Sequence, residues 1–434
     1  MKSLLHKADD QSRRQFVLNA AKTCLGVTAA PLFLQGNAQA AFEGSSKARQ
    51  AAASARNVIY LYMSGGMSHL DTFNAQPGTD EAGPVKHLKT SADGVLISEY
   101  LPLTAKHMHH VAIINSLTST QGAHAQGNYF MHTSYTQRST IRHPSMGAWL
   151  TKYQGRSNPT LPSSVVITND SKHPGAGFFE AAVAPLSISN PTSGLQNSKR
   201  NAHLTEQDFD YRLSLSQKLD AQFRAQYDYS DLRASADIYK DAVKIMKSED
   251  LVAFDINKEP AEMHELYGSG TFNQGCLLAR RLVEHGVRFV EVTLGGWDTH
   301  NDNFVRVPEN CATLDKALAA LLGDLESRGM LQETLVVVTT EFGRTPKINQ
   351  NEGRDHYPKA FSSILAGGGI RGGQIYGKTD KGGHEIVEGK LLPPDFNATI
   401  GYALGLPLDQ VIFSPSKRPF TVADKGQPVT SLFG

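Results

Sequence analysis

The sequence predicts an α/β fold, a three-layer α/β/α sandwich around a mostly parallel central sheet. Three observations predict it. The runs Asn57–Met63 and Thr334–Thr340 (TLVVVTT) are apolar and β-branched with no polar alternation, as in strands buried on both faces. Amphipathic segments between such runs close on glycine, at Gly286 and Gly329, where a helix C-cap is expected. The strand–helix–strand spacing fits right-handed crossovers, which join parallel strands and place helices on both sheet faces.

Taken in order, the chain opens with Ser12-Arg13-Arg14-Gln15-Phe16-Val17, a twin-arginine pattern. A weakly apolar stretch from Cys24 to Leu34 and an A-x-A signature at Ala38-Gln39-Ala40 follow. That stretch is too short to span a bilayer, which takes about 20 apolar residues. Residues 1–40 are therefore expected to be an export leader and 41–56 a flexible lead-in, with 57–434 forming a single folded domain. Strands are expected at Asn57–Met63, His107–Asn115, Leu161–Thr168, Val287–Leu294, Thr334–Thr340 and Phe361–Ala366. Helices are expected from Gly127, over Pro144–Tyr153, over Thr271–His285 and over Ala312–Arg328. The last carries Leu314, Leu318, Leu321, Leu322 and Leu325 on one face. From about 190 to 260 the chain turns polar, with Leu213, Leu215, Leu219 and Phe223 at helical spacing, which predicts a helical insertion.

Composition narrows the function. A chain that is 40% hydrophobic and 20% charged is ordinary for a globular protein. The net charge of +1 gives no bulk attraction to nucleic acid or anionic lipid. No stable membrane span is expected. Cys276 and Cys311 fit either a disulfide in an oxidising compartment or two buried thiols.

The chemistry gathers at strand ends, where open α/β sheets bind ligands. After the first strand come Ser64, Ser68, His69 and Asp71; after Val287–Leu294 comes GGWDTH with Asp298 and His300; after Thr340 come Glu341 and Arg344, and a following loop brings Arg354, Asp355 and His356. Carboxylates and imidazoles on one rim are the ligand set of a divalent metal such as Zn²⁺, Mn²⁺, Mg²⁺ or Ca²⁺. Arginines there would grip an oxyanion. Each group also has a plainer role. Asp298 suits a turn, Asp71 a helix cap, Asp355-His356 a loop ion pair. His124, among Gly122, Ala123, Ala125 and Gly127, stands where small neighbours let a ligand approach.

Together TLVVVTTEFGR, FSSILAGGGIRGG, GGMSHLDTF, GGWDTH and GRDHYP resemble the alkaline phosphatase/sulfatase superfamily, and within it the exported branch called domain of unknown function 1501. The resemblance spans nearly all of the chain after residue 40. It implies a metal-dependent hydrolase of phosphate or sulfate esters holding one or two divalent ions. Asp298, His300, Glu341 and His356 would hold one ion, and His69, Asp71 and His124 are candidates for a second. Arg344 and Arg354 would clamp the ester. Three departures stand out. Where sulfatases carry paired aspartates after the first strand, this chain runs into Ser64-Gly65-Gly66. Glu341-Phe342 replaces the Asp-His of two-metal relatives, and no Cys-x-Pro-x-Arg marks a formylglycine nucleophile. Ser119 or Thr120 would then serve as a metal-activated hydroxyl, or a water would. The expected partners are an anionic ester, small or polymer-borne, and the twin-arginine translocase; the expected location is periplasmic or secreted. The rival expectation is a binding or assembly protein of the cell envelope that keeps the fold without catalysis.

Overall fold

The computed structural model describes residues 54–168, 172–196, 198–201, 203–226 and 239–434. The leader expected at 1–40 lies outside them. Eight strands form the central sheet: β1 (Asn57–Met63), β2 (Val111–Leu117), β3 (Ser164–Ile167), β4 (Leu186–Ile188), β5 (Phe289–Leu294), β6 (Thr334–Thr339), β7 (Phe361–Ala366) and β8 (Gln374–Tyr376). Their spatial order is β8-β2-β7-β6-β1-β5-β3-β4. All neighbours pair in parallel except β7, which runs against both β2 and β6.

The apolar strands have the composition they do because both faces are covered. Along β1, Val58, Tyr60 and Tyr62 enter one core while Ile59, Leu61 and Met63 enter the other; β6 alternates likewise, Leu335 and Val337 against Val336 and Val338. The first core is closed by α1 (His124–Thr133), α2 (Met146–Gln154) and α7 (Pro393–Ala403). The second is closed by α5 (Thr271–Glu284) and α6 (Asn303–Ser327). Along the chain, α3 (Glu206–Gln226) and the short α4 (Ala261–Tyr267) come between α2 and α5, and α4 packs on α5 and α6. The three-layer, mostly parallel sandwich predicted from the sequence is what the chain forms.

Several boundaries differ. α6 starts nine residues before the expected Ala312, carrying Pro308 within it. In α3, Leu213 is buried but Leu215 and Leu219 are exposed, so the apolar spacing there does not mark a core face. Cys276 and Cys311 are free, buried thiols. Among the described residues, no helix is long and apolar enough to cross a membrane.

The reversal of β7 sets up the rim. Its first residue, Phe361, pairs with Leu117 at the carboxyl end of β2. The loop that leaves β6 at Thr340 therefore returns to the same edge of the sheet at Ala360. The carboxyl ends of β1, β2, β5 and β6 and the entry to β7 all meet there.

Candidate metal centre

Four side chains from three of these connections converge at the rim. His124 opens α1 after β2, Asp298 and His300 follow β5, and His356 precedes β7. The Nε2 atoms of His300, His124 and His356 lie 3.2, 3.3 and 3.5 Å from the same oxygen, Asp298 Oδ1. Ligand atoms of His124, Asp298 and His356 all fall within 4.8 Å of one another.

The other ring nitrogen of each imidazole is committed. His124 Nδ1–H donates to Glu341 Oε1 at 2.7 Å, His300 Nδ1–H to Asp355 Oδ1 at 2.8 Å, and His356 Nδ1–H to the Gly122 carbonyl at 2.9 Å. Each bond fixes a tautomer that leaves Nε2 as the lone-pair atom. This is how metal-ligating histidines are oriented by outer partners. His124 Nε2 and His356 Nε2 are moreover buried without a hydrogen-bond partner. Two orphaned imidazole nitrogens facing a carboxylate are what a divalent ion would satisfy, so the donor set fits a metal.

The electrostatics agree. Burial pushes the Asp298 carboxyl up, but the hydrogen bond and charge of Arg344, with His124 and His300, hold it at about 2. Burial likewise opposes ionisation of Glu341, yet its bonds to His124 and to the Gly65 N–H hold it below the usual range. Glu341 in turn raises His124, while burial and the positive charge of Arg344, His124 and His300 lower His356. A proton on His124 Nε2 would face Asp298, and a divalent ion there would take the place of that proton.

Glu341 is expected from the sequence to be a ligand, and the structure gives it another place. It is 1% exposed, and its oxygens are filled by His124, the Gly65 N–H (2.9 Å), the Tyr62 hydroxyl (3.1 Å) and Thr340 Oγ1 (3.0 Å). It orients His124 from behind. Phe342 explains the Glu-Phe pair that departs from the resemblance: its buried ring packs under His124 and His356, with ring centres 5.0 and 4.8 Å apart. Gly127 on α1 accommodates that ring, since a Cβ there would stand 3.0 Å from Phe342.

The two arginines expected to clamp an ester are turned inward, both side chains fully buried. Arg344 donates to the carbonyls of Gly65, Gly66 and Arg354 and to Asp298 Oδ1, so it locks the loops around the carboxylate. Arg354 forms a two-pronged pair with Asp71, Nε to Oδ2 at 2.8 Å and Nη2 to Oδ1 at 2.9 Å. Asp71 also accepts from Asn303 Nδ2, which leaves it consumed by neighbours rather than free for an ion. His69 is fully buried and bonds the Gly383 carbonyl, away from the cluster's partners. Ser119 Oγ accepts the Gln121 N–H and Thr120 Oγ1 accepts from the Gln121 amide; no hydrogen bond of either reaches the cluster. Thus His124, Asp298, His300 and His356 are brought together, His69, Asp71 and Arg354 are committed to other partners, and no hydrogen bond joins Ser119 or Thr120 to the four.

The sequence left unread the roles of Tyr62, Asn303 and the Gly122 carbonyl, and it paired Asp355 with His356, whereas Asp355 bonds His300. Only Asp355 carried a signal, lying next to His356. The backbone carbonyl and the hydroxyl of a buried strand residue carry none.

No curated protein matches the chain. Among solved structures it is similar to the lipoteichoic acid synthase LtaP from Listeria monocytogenes, at 12% identity over 87% of this chain and 76% of that one, with a TM-score of 0.40. The PsFucS1 sulfatase from Pseudoalteromonas sp. is similar at 12% identity over 86% and 73%, TM-score 0.41. A mutant of the alkaline phosphatase PafA is similar at 9% identity over 88% and 99%, TM-score 0.42. At such distances activity has to be argued from the residues of the rim themselves. The model of the family described as "Protein of unknown function (DUF1501)" matches residues 55–433, and the chain belongs to that family.

Proposed function

We propose that the protein is an exported, metal-dependent hydrolase of phosphate or sulfate esters. The observation that carries the metal is the convergence of three imidazole Nε2 atoms on Asp298, each with its Nδ1–H already given away. His124, His300, His356 and Asp298 would hold one ion, and a set of three nitrogens and one carboxylate favours Zn²⁺ over Mn²⁺, Mg²⁺ or Ca²⁺. When bound, such an ion supplies Lewis-acid polarisation of an ester oxygen. The chain's own residues prepare the place. Glu341, Asp355 and the Gly122 carbonyl aim the imidazoles, Arg344 fixes the Asp298 carboxylate, and the Phe342 ring closes the floor. Asp298, His300 and Asp355 remain partly exposed and face the solvent from which an ester arrives. The ester class rests on the sequence resemblance, and export with the twin-arginine translocase as partner rests on the Arg13-Arg14 leader and Ala38-Gln39-Ala40.

A second reading, a cell-envelope binding or assembly protein, is favoured by one observation. Both arginines that would grip an oxyanion are buried on protein partners, and neither Ser119 nor Thr120 bonds the cluster. The test is to purify the chain without its leader, measure bound metal by mass spectrometry, and assay aryl phosphates, phosphodiesters and sulfates with and without Zn²⁺ or Mn²⁺. Metal-dependent turnover lost in His300→Ala supports the hydrolase. A protein that is metal-free, inactive on every ester and unaffected by that substitution overturns it.

A further inference from the structure

A second cluster lies below the rim, in the core between α1 and the sheet. Glu291 stands mid-strand in β5, 3% exposed, while its neighbours Val290 and Val292 face the opposite core. On α1, His124, Asn128 and His132 recur every four residues, so one helix face leads from the rim down to Glu291. His132 Nε2 is 3.1 Å from Glu291 Oε1, and its Nδ1–H donates to the Asn128 carbonyl at 2.8 Å. With Nδ1–H given away, Nε2 meets the Glu291 carboxylate through a second proton, the one a cation would displace. His173 is wired differently: its Nδ1 accepts the Gly175 N–H at 3.1 Å, so its Nε2 carries the proton and points at Glu291 Oε2, 3.4 Å away. Of the two buried acceptors here, Asn128 Oδ1 has no hydrogen-bond partner and Glu291 Oε2 has only the long contact to His173. Both residues line a cavity of about 10 Å³, room for one water-sized sphere.

We propose that this cavity is a second metal site, taking one borderline divalent cation of the Zn²⁺ or Mn²⁺ class. His132 Nε2, the Glu291 carboxylate and Asn128 Oδ1 are the ligands, and the His173 Nε2–H is an outer partner steadying the carboxylate. An imidazole nitrogen, a carboxylate and an amide oxygen around an enclosed volume of that size are ligands for a cation. With a water there instead, the buried charge of Glu291 would rest on the protons of His132 and His173. The ion would clamp α1 to β5 and so fix the height of His124 at the rim. The site stands independently of hydrolysis.

The full chain is stripped with a chelator, re-equilibrated with Zn²⁺ or Mn²⁺, and its metal content measured beside Glu291→Gln and a His300→Ala/His356→Ala double variant. The expected result is two equivalents in the wild type and one in each variant. Anomalous diffraction from wild-type crystals at the metal edge should place a peak between His132 and Glu291, a result that stands even if Glu291→Gln does not fold. Full metal content in Glu291→Gln with no peak at that position overturns the proposal and leaves a water-filled ion pair. If instead the rim binds nothing, one Glu291-dependent equivalent survives in the wild type and the double variant alike, which separates the two failures.

Discussion

Replacing Glu341 by Gln separates a carboxylate that aims a ligand from one that is a ligand. Glu341 takes contacts from His124, the Gly65 N–H, Tyr62 and Thr340. Gln has the same shape and keeps one oxygen. With that oxygen toward His124 and Gly65, its amide group faces two hydroxyls, Tyr62 and Thr340, which can turn to accept. The fold therefore loses charge-assisted bonds without a cavity, at a cost of about 1–3 kcal/mol. The His124 ring stays in place, but a neutral oxygen behind Nδ1–H makes Nε2 a weaker donor to the ion. Loss of such an outer partner lowers metal affinity by about 10–100-fold, or about 1.4–2.8 kcal/mol. Competition titration of the apo-protein against a chromophoric chelator reads this directly, with His356→Ala as the comparison. Unchanged affinity in Glu341→Gln would refute the orienting role. A collapse to the His356→Ala value would instead make Glu341 a ligand.

Three further outcomes follow from the same geometry. Asp71→Asn strands the fully buried Arg354 charge, so urea unfolding should report a loss of about 3–5 kcal/mol while metal content stays unchanged; a loss below about 1 kcal/mol would contradict the pairing. Gly353→Ala drives a Cβ into the His300 carbonyl, so it should lower both melting temperature and metal affinity, and an unaltered affinity would show that the loop can yield. Burial pushes His69 down to about 4, whereas an unfolded histidine titrates near 6.5. Between those values the unfolded chain holds a proton that the folded chain refuses, so stability of the metal-free protein falls as pH drops from 6.5 to 4. The slope from this one group is at most about 1.4 kcal/mol per pH unit. His69→Gln should flatten the urea-midpoint profile in that window, and an identical slope would place the effect elsewhere.

The sheet was legible because its central strands are buried on both faces, which leaves short unbroken apolar runs rich in β-branched residues. The direction of β7 was not, since FSSILA reads the same in either orientation and only its partners β2 and β6 decide it. The short β4 and β8 carry too few residues for a pattern. At the rim, Asp298, His300 and His356 were visible because polar residues follow apolar strands, and His124 because of its small neighbours. What stayed hidden was which polar groups spend themselves on the protein. Arg344 and Arg354 look like anion grips in a string of letters; only tertiary contacts reveal that carbonyls and Asp71 already hold them. Glu291 was the missed signal in plain view, an acid inside an otherwise apolar strand.

The ring of Phe342 beneath His124 and His356 makes the site one-sided. Hydrocarbon below offers no lone pair to a neighbouring ion, and it bars water from that direction. Solvent instead meets Asp298, His300 and Asp355, whose side chains are 48%, 41% and 55% exposed. If the site acts on an ester as proposed, an ester on a bulky carrier would reach it only by a protruding end, so its accessibility on the carrier, more than the carrier's identity, would set which molecules react.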